Sequence, residues 1–496
     1  ELELNGLVHL ALVNKPICHQ SILDSIAEIP NLRVLQLLIS GAGIELNLPQ
    51  VTALQLNSWN KVVFTNFITP NITVLSLTGR ISFKSMKVFP KIVKQLKTLC
   101  TKIWFGMPGS IMSGTLETIY DTKAVCCDIG FKTLDTPNLK RLHLDHAVQD
   151  TNYPSLQIAS FDFDSSNPDE VIKMFTPSLK VLHMPRVTSV FSGVCVNCPL
   201  LEYISVSDAN NSLEYIKSFP FTKYITFRSI RGNSTWFISH DKIEYIAHKP
   251  KVQGLRVRAT IDCPSLTELY LRSHYMLPRF TRKTRNLTHI EIVDVSINCL
   301  VFSETIEEFD NLESLIVKDF EFSSQGPLSI TNNCLKTLKL SDARAQCIEL
   351  NTPQLHFLSL IKLQLSMIKW GDQPMCHLKT LLLDGNSELN DKSFKGPFES
   401  FPFPCLLCLS LKGTSITQVT LKQIEEHCIN LTKLDLSQIK GIPAKDRKEI
   451  AKRITGQKMI QLKPRDIPSA PTRQPLRIQA LAYEKMLDTS TWTPFF

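Results

Sequence analysis

Apolar and polar residues alternate in short runs that return at regular distances along this chain. Each run begins with a turn residue and proline and continues as L-x-x-L-x-L, as in TPNLKRLHL. In this template the last two apolar residues lie on one face of a short strand, because side chains alternate along an extended backbone. The clearest runs are Ile29–Leu37, Thr136–Leu144, Thr176–Met184, Cys198–Val206, Cys263–Leu271 and Thr352–Leu360.

The first apolar position of the template returns about every 22 residues between Leu7 and Leu431. One unit cannot bury its apolar face alone, whereas stacked units form a continuous core and a parallel sheet. The pattern therefore predicts an α/β solenoid of about 20 repeats over 1–437, a horseshoe with a parallel β-sheet on its concave face. Turns, 3₁₀ segments and a few helices, concentrated at the two ends, are expected on the convex side.

The pattern stops after Leu436, and the remaining residues have a different character. Residues 438–455 predict a C-terminal capping helix, with Pro443 in its first turn. Residues 456–496 form a basic, Pro-containing tail with a possible short helix over 476–487. Two interpretations of that helix remain open: it folds back over the last repeat as a cap, or it is a free docking peptide.

Bulk composition narrows the class of protein. The 496 residues are 43% hydrophobic and 20% charged, as in a folded domain. No apolar run approaches the roughly 18–20 residues of a membrane span, and no signal peptide opens the chain. The 14 cysteines are scattered, which favours a cytoplasmic or nuclear protein. Because the chain opens with Glu1 inside a repeat-like run, we expect its natural start to lie upstream.

Five Asn-x-Ser/Thr sequons could instead indicate a secreted protein. Three of them, at Asn71, Asn286 and Asn430, occupy the same position before a strand, so repeat chemistry is the preferred interpretation. The other two are at Asn210 and Asn233.

Catalytic and cofactor signatures give no candidate residue. The chain has no phosphate-binding Gly-rich loop, no G-x-S-x-G and no H-E-x-x-H motif. Two C-x-x-C pairs, Cys195/Cys198 and Cys405/Cys408, are interpreted as small buried residues of the repeat turn rather than zinc ligands. We therefore expect a non-catalytic protein without metal or cofactor.

The net charge of +9 raises the question of nucleic acid. From Gly441 onward there are 11 Lys and Arg against 5 Asp and Glu, so most of the excess lies in the tail. The charge distribution therefore does not favour nucleic acid as the main ligand.

The polar positions of the template predict the binding surface. They point to the concave face and combine aromatic residues and arginine with mixed charges, which is typical of protein interfaces. The predicted protein-binding residues are Arg141, His143, Asp145, His183, Tyr203, Glu268, Tyr270, Arg272, His289 and Glu291.

The template resembles the leucine-rich-repeat superfamily over nearly all of residues 2–437. The last unit, Ser415–Leu436, is similar to the cysteine-containing subtype, which it matches at eight positions: Ile416, Thr417, Leu421, Ile424, Cys428, Leu431, Leu434 and Leu436. Runs such as TPNLKRLHL also resemble repeats of F-box proteins. In that family the repeats hold a substrate, and an N-terminal F-box joins a Skp-type adaptor and a cullin ubiquitin ligase. No F-box is found in this chain.

Two functions follow as hypotheses. The resemblance implies the substrate-recognition subunit of a cullin-type ubiquitin ligase, with Skp-type adaptor and cullin bound through a segment upstream of Glu1. The alternative is a stand-alone interaction scaffold or inhibitor without ubiquitin chemistry. An extracellular receptor would require glycosylated sequons and paired cysteines.

Overall fold

The computed structural model describes most of the chain at the level of individual residues. The described ranges are 6–83, 88–103, 110–121, 133–144, 151–161, 174–175, 177–184, 196–209, 219–230, 235–249, 258–274, 278–322, 326–371, 375–394, 403–456 and 474–488. By internal contacts the chain forms two compact units. Unit 1 comprises Glu1–Asn210, Tyr215–Ile225 and Gln479–Phe496, and unit 2 comprises Asn211–Glu214 and Thr226–Ile478.

Unit 1 is built on a ladder of parallel strands. Its elements are β1 (His9–Ile17), α1 (Gln20–Ala27), β2 (Val34–Ile39), β3 (Gly41–Asn47), β4 (Ala53–Ile68), β5 (Val74–Phe83), α2 (Val88–Val93), β6 (Thr98–Ile103), β7 (Ser110–Met112), β8 (Thr118–Asp121), β9 (Thr133–Asp135), β10 (Arg141–Leu144), β11 (Thr151–Asn152), β12 (Ile158–Phe161), β13 (Met174–Phe175), β14 (Val181–Met184), β15 (Val196–Asn197) and β16 (Tyr203–Ala209). The ladder runs β1–β2–β4–β5–β6–β8–β10–β12–β14–β16, every pair parallel.

Unit 2 repeats the same plan. The elements that follow in the chain are β17 (Tyr224–Ile230), β18 (Thr235–Ser239), β19 (Tyr245–His248), β20 (Arg258–Asp262), β21 (Glu268–His274), β22 (Arg279–Phe280), β23 (His289–Ile297), α3 (Cys299–Glu307), β24 (Ser314–Phe322), β25 (Leu328–Thr331), β26 (Thr337–Ser341), β27 (Cys347–Asn351), β28 (Phe357–Ile361), β29 (Met367–Trp370), β30 (Thr380–Leu382), β31 (Cys408–Ser410), α4 (Gln418–His427), β32 (Lys433–Asp435), α5 (Ala444–Thr455) and α6 (Pro475–Met486). Its ladder runs β19–β21–β23–β24–β26–β28–β30–β31–β32.

The apolar positions of the template form the core. In β10 and the turn before it, Leu139, Leu142 and Leu144 are almost fully buried, and the equivalent positions of the weaker repeats, such as Leu116 and Ile243, are as well. Truncation of such a leucine to alanine costs about 2–5 kcal/mol of folding free energy. The predicted fold class is confirmed: the chain is a solenoid of the leucine-rich-repeat type, with the parallel sheet that the repeat requires.

The turn before each strand explains the rest of the template. The Leu139 N–H donates to the Thr136 carbonyl at 3.0 Å, which closes a four-residue turn with proline at its second position, where the ring presets the backbone. Asn138, at the third position, donates to the Gly114 carbonyl one repeat earlier at 2.6 Å. Asn71, Asn286 and Asn430 make the same bond to Pro49, Pro264 and Pro404. These three sequon asparagines therefore serve the stacking of repeats.

The side opposite the ladder contains strands that the repeat length alone did not predict. Three-stranded parallel sheets join β11, β13 and β15, then β18, β20 and β22, then β25, β27 and β29. Their sequences are rich in β-branched and aromatic residues, which favour strands, for example TWFIS in β18.

Helices form on this side where the repeat is longer. The steps from Leu7 to Leu32, Leu287 to Leu312 and Leu406 to Leu431 are each 25 residues, and they contain α1, α3 and α4. A helix takes up extra residues because it rises only about 1.5 Å per residue, against about 3.3 Å in a strand. The expectation that helices concentrate at the two ends was wrong, since α3 follows β23 in the middle of the sequence.

The terminal helices differ in position. Helix α5 packs against β32 of the last repeat. Helix α6 instead contacts strands far upstream in the sequence, as described below. Within the described ranges, no helix has the length and apolarity needed to cross a membrane.

Candidate functional site

The ladder face, meaning the side of the strand ladder on which the polar template positions lie, carries a polar and aromatic cluster on β21 and β23. In the parallel register Glu268 lies opposite His289, and Tyr270 lies opposite Glu291. All four side chains share one side because they alternate with the core residues of the two strands. The Tyr270 hydroxyl donates to Glu268 Oε2 at 3.0 Å, and the Tyr270 and His289 rings are 5.0 Å apart.

The first turn of α6 is seated on this cluster. The backbone N–H groups of Leu476 and Arg477 donate to Glu268 Oε1 and Oε2 at 3.2 and 3.1 Å. The first N–H groups of a helix have no partner inside it, and negative charge is favoured there. Glu268 thus caps a helix that begins more than 200 residues later in the sequence.

The Arg477 side chain makes the second set of contacts. Its Nη1 lies 2.8 Å from Glu291 Oε2, and its guanidinium carbon lies 4.7 Å from the centre of the Tyr270 ring. Lys318 of β24 approaches the other oxygen of the Glu291 carboxyl at 3.2 Å. Glu291 therefore lies between two cations, and Arg477 has both a carboxylate partner and an aromatic face, a favourable environment for a guanidinium.

Burial raises and the contacts lower the pKa of both carboxyl groups, but the balance differs between them. Burial raises the pKa of Glu268, although hydrogen bonds from Tyr270 and from the Leu476 and Arg477 N–H groups act to lower it. At Glu291 burial also acts to raise the pKa, but Lys318 and Arg477 outweigh it, so its pKa is lowered. Glu291, next to the two cations, therefore stays ionised to a lower pH than Glu268 does.

His289 completes the cluster from β23. Its Nε2 lies 3.4 Å from Gln474 Nε2, and its buried Nδ1 has no hydrogen-bond partner among the described residues. Burial lowers the pKa of His289 to about 4, with Arg477 and Lys339 acting in the same direction and Glu291 against them. The imidazole is therefore neutral at physiological pH.

In unit 1 an aromatic group lies around Tyr483, on the later part of α6. The Tyr483 hydroxyl donates to Glu202 Oε2, and its ring lies 5.4 Å from that of Tyr203 and 5.5 Å from that of Tyr224. The Tyr203 hydroxyl reaches Glu484 Oε1 at 3.5 Å. Burial, with the Glu202 carboxylate adding to it, raises the pKa of Tyr483 to about 12, so this hydroxyl remains a hydrogen-bond donor.

Elsewhere in unit 1, the predicted residues on β10 have local partners. His143 stacks on Tyr120 of β8, with ring centres 4.6 Å apart, and its Nδ1 lies 2.9 Å from Ser160 Oγ of β12. Arg141 shares the ladder face with His143 and is half-buried.

The structure therefore divides the predicted binding residues. It brings Glu268, Tyr270, His289 and Glu291 together, while Arg272 is exposed further along β21. Arg141, His143, His183 and Tyr203 lie on β10, β14 and β16 of unit 1. Asp145 lies outside the described residues. We expected exposed positions, yet Tyr203, Glu268, Tyr270 and His289 are buried. The contacts with α6 account for the difference, because a repeat template reports which side a residue faces and not what covers it.

Several residues of the site were not among the sequence candidates. Arg477 and Gln474 belong to the tail, Glu202 precedes the template position of Tyr203, and Tyr224 occupies that position in the weaker repeat that follows. One sequence signal for the tail existed: Pro475 is a typical first helical residue, but the preceding Gln474 is not a common helix cap. That mismatch indicates a cap supplied from elsewhere in the chain.

The cysteine pairs have different surroundings. Cys405 is exposed, contrary to the buried turn position expected for it, whereas Cys408 is buried in β31 and burial raises its pKa to about 11. Of the other pair, Cys198 is buried and Cys195 lies outside the described residues. Among the described residues, no three or more His, Cys, Asp or Glu side chains are grouped so as to hold a metal ion.

Comparison with known proteins yields matches among solved structures only. No family model matches the chain, and no curated protein matches it. A TLR13 complex with the RNA ssRNA13 is 14% identical, covering 86% of this chain and 80% of that one, with a TM-score of 0.34. An LRR protein of Leptospira interrogans is 14% identical, covering 91% and 100%, with a TM-score of 0.29.

The plant peptide hormone receptor RGFR1, in complex with RGF2, is 13% identical, covering 80% of this chain and 89% of that one, with a TM-score of 0.24. With similarities of this size, the fold is established by the chain's own repeat and strand ladder.

Proposed function

We propose that the protein is a non-catalytic scaffold that binds another protein through the ladder face of unit 2. The observation that carries this proposal is the cluster of Glu268, Tyr270 and Glu291, which engages a polypeptide segment through backbone capping, a charge pair and a ring contact. Tyrosine and charged side chains that converge on one partner are typical of the centre of a protein interface.

The finer proposal is that the scaffold selects substrates for a cullin-type ubiquitin ligase. Its support is the resemblance of Ser415–Leu436 to the cysteine-containing repeat subtype of F-box proteins. Its further partners would be a Skp-type adaptor and a cullin, in the cytoplasm or nucleus. A stand-alone scaffold or inhibitor is the alternative, and the same experiment separates the two.

The experiment is a tagged purification of the full-length protein from its native cells, followed by mass spectrometry. Three forms are compared: wild type, Glu291→Lys in the cluster, and Glu349→Lys on β27 as a matched charge reversal on the opposite side of the repeat. A partner retained by wild type and Glu349→Lys but lost from Glu291→Lys supports binding at the cluster. A partner that all three retain equally contradicts it.

The ligase proposal depends on what accompanies that partner. Stoichiometric adaptor and cullin support a substrate-recognition subunit. A specific partner without any cullin component contradicts the ligase proposal and leaves a protein-binding scaffold.

A further inference from the structure

Helix α6 begins without a cap of its own. Its first residue is Pro475, whose fixed φ suits the start of a helix and whose missing N–H needs no partner. The next two residues, Leu476 and Arg477, do present N–H groups, and both donate to the Glu268 carboxylate. A carboxylate on β21 therefore recognises the start of a helix by its backbone, independently of side-chain identity.

Side-chain recognition is supplied by the third helical position. Arg477 Nη1 lies within 2.8 Å of Glu291 and 3.3 Å of Gln474 Oε1, while the guanidinium lies over the Tyr270 ring. The planar fork of arginine can make these contacts together, whereas the point charge of lysine cannot reproduce the stacking. The site therefore discriminates for arginine at this position.

We propose that Glu268, Tyr270 and Glu291 form a receptor site for the first turn of a helix that begins with proline and carries arginine at its third position, and that residues 474–478 of this chain occupy the site until a partner helix with the same features displaces them. This inference rests on the proposed protein-binding function and specifies its ligand. It also makes the C-terminal tail an internal competitor of that ligand.

The contacts of the first turn of α6 are suited to displacement. Arg477 keeps 39% of its side chain exposed, and its neighbour Ile478 is 70% exposed, so the first turn is held by few side chains and remains accessible from solvent. Residues 474–478 have one advantage over a separate partner helix, because they belong to the same chain as the site. A segment of the same chain binds the site intramolecularly, which raises its effective concentration there above that of a free partner. A partner must therefore bind the empty site considerably more tightly than it binds the full-length protein.

The test uses full-length protein and a fluorescent peptide of residues 474–488, QPLRIQALAYEKMLD, with binding measured by anisotropy. Wild type should bind the peptide at least tenfold more weakly than the Arg477→Ala protein, in which the internal segment lacks the charge pair and the ring contact and holds the site less tightly. Lys485→Ala removes the same charge from an exposed position of α6 and should behave as wild type. Circular dichroism and thermal melting establish that all variants fold.

The peptide variants test recognition. Arg477→Ala in the peptide should weaken binding to the Arg477→Ala protein at least tenfold, and Lys485→Ala in the peptide should not. Adding Glu268→Gln and Glu291→Gln to the protein should remove the gained binding. Equal affinity of wild type and Arg477→Ala protein, or a gain that survives both glutamine substitutions, overturns the proposal.

The two proposals fail in different ways. Peptide binding as expected, with no partner recovered from cells, leaves the receptor site intact and contradicts the cellular function. A partner that depends on Glu291 but is not displaced by the peptide supports the function and overturns the internal-competitor inference.

Discussion

Helices α3 and α6 begin in opposite ways. Asn298 precedes α3, and its side-chain oxygen accepts from the Leu300 and Val301 N–H groups at 3.1 and 3.2 Å. Helix α6 receives the equivalent bonds from Glu268, 208 and 209 residues away in sequence. The start of α3 is therefore encoded within the helix and its preceding residue, whereas the start of α6 depends on a distant strand.

This difference distinguishes a helix that is stable within its own repeat from a helix that binds to the ladder face as a ligand would. A local cap stabilises its helix wherever that helix is placed, so α3 needs no particular neighbour to begin correctly. A distant cap stabilises the helix only while it is docked. The comparison predicts that substitutions at the α6 contacts change docking and leave the repeats unaffected, while substitutions at the α3 cap do the reverse.

The largest effect is expected from Arg477→Glu. The new carboxylate would face Glu291 and Glu268 and would remove the charge pair and the ring contact together. Breaking a charge pair of this kind costs about 2–5 kcal/mol, with the lower end expected because Arg477 is partly exposed. Amide exchange across 474–488 should accelerate about 30-fold, measured by hydrogen–deuterium exchange mass spectrometry, with exchange in β26 and β28 unchanged.

Lys485→Glu provides the matched control for Arg477→Glu, because it makes the same charge change on an exposed face of α6. Its exchange should remain within a few-fold of wild type. Equal acceleration by both substitutions would show that general charge, and not the Glu291 contact, holds the helix.

A smaller effect is expected from Glu268→Ala, which removes the distant cap but keeps the Arg477–Glu291 pair. Loss of a helix cap costs about 0.5–2 kcal/mol, so exchange at the first turn of α6 should accelerate about tenfold. Glu268→Gln retains a side-chain oxygen as an acceptor and should give a smaller change. A Glu268→Ala protein with unchanged exchange in 474–480 would contradict the capping role.

The pKa of His289 should also show whether α6 is docked. Its pKa is about 4 in the docked protein, since burial and Arg477 disfavour the imidazolium. In Arg477→Glu both influences weaken, and the pKa of His289 should rise towards its ordinary value. His248, also held near 4 by burial but bonded to the Arg272 carbonyl of β21, should not change. Histidine C2 hydrogen exchange measures both, and an equal rise at the two residues would contradict a local effect.

The pKa values of His289 in the folded and unfolded states determine how stability changes with pH. The unfolded chain protonates His289 near pH 6.5, whereas the folded protein does so only near 4. Between these values the unfolded state binds more protons, so this group's contribution to stability decreases as pH falls from 6.5 to 4. Arg477→Glu should make urea unfolding less acid-sensitive within that window.

The fold could be predicted from the sequence because it depends on the regular spacing of apolar residues along the chain. Every stacked unit must bury the same apolar positions, so a template such as that of Thr136–Leu144 fixes strand, turn and core at once. The strands on the opposite side could not be read in this way. Each of them pairs with a segment of a neighbouring repeat, as β25 does with β27, and no motif within either repeat specifies that pairing.

The sequence predicted the strand residues of the candidate site but not the tail segment that they contact. Alternation along β21 and β23 predicts that Glu268, Tyr270 and Glu291 share one face, and the register of the two strands pairs Tyr270 with Glu291. Their role in binding stays a prediction. Their partner could not be predicted, because nothing in the local pattern of 474–478 specifies which of many strands it meets. That choice depends on the complementarity of one arginine and two N–H groups to two carboxylates, a tertiary property.

The smallest effect is expected at the local cap of α3. Asn298→Ala removes an acceptor used by two N–H groups and should lower the free energy of unfolding by about 1 kcal/mol, measured by urea denaturation. Asn298→Asp keeps a good cap and should be close to wild type. Because α3 packs on β25 and does not touch the ligand, both proteins should bind the peptide of residues 474–488 as wild type does. An Asn298→Ala protein that loosened the tail as Glu268→Ala does would mean that the two helix starts are not independent.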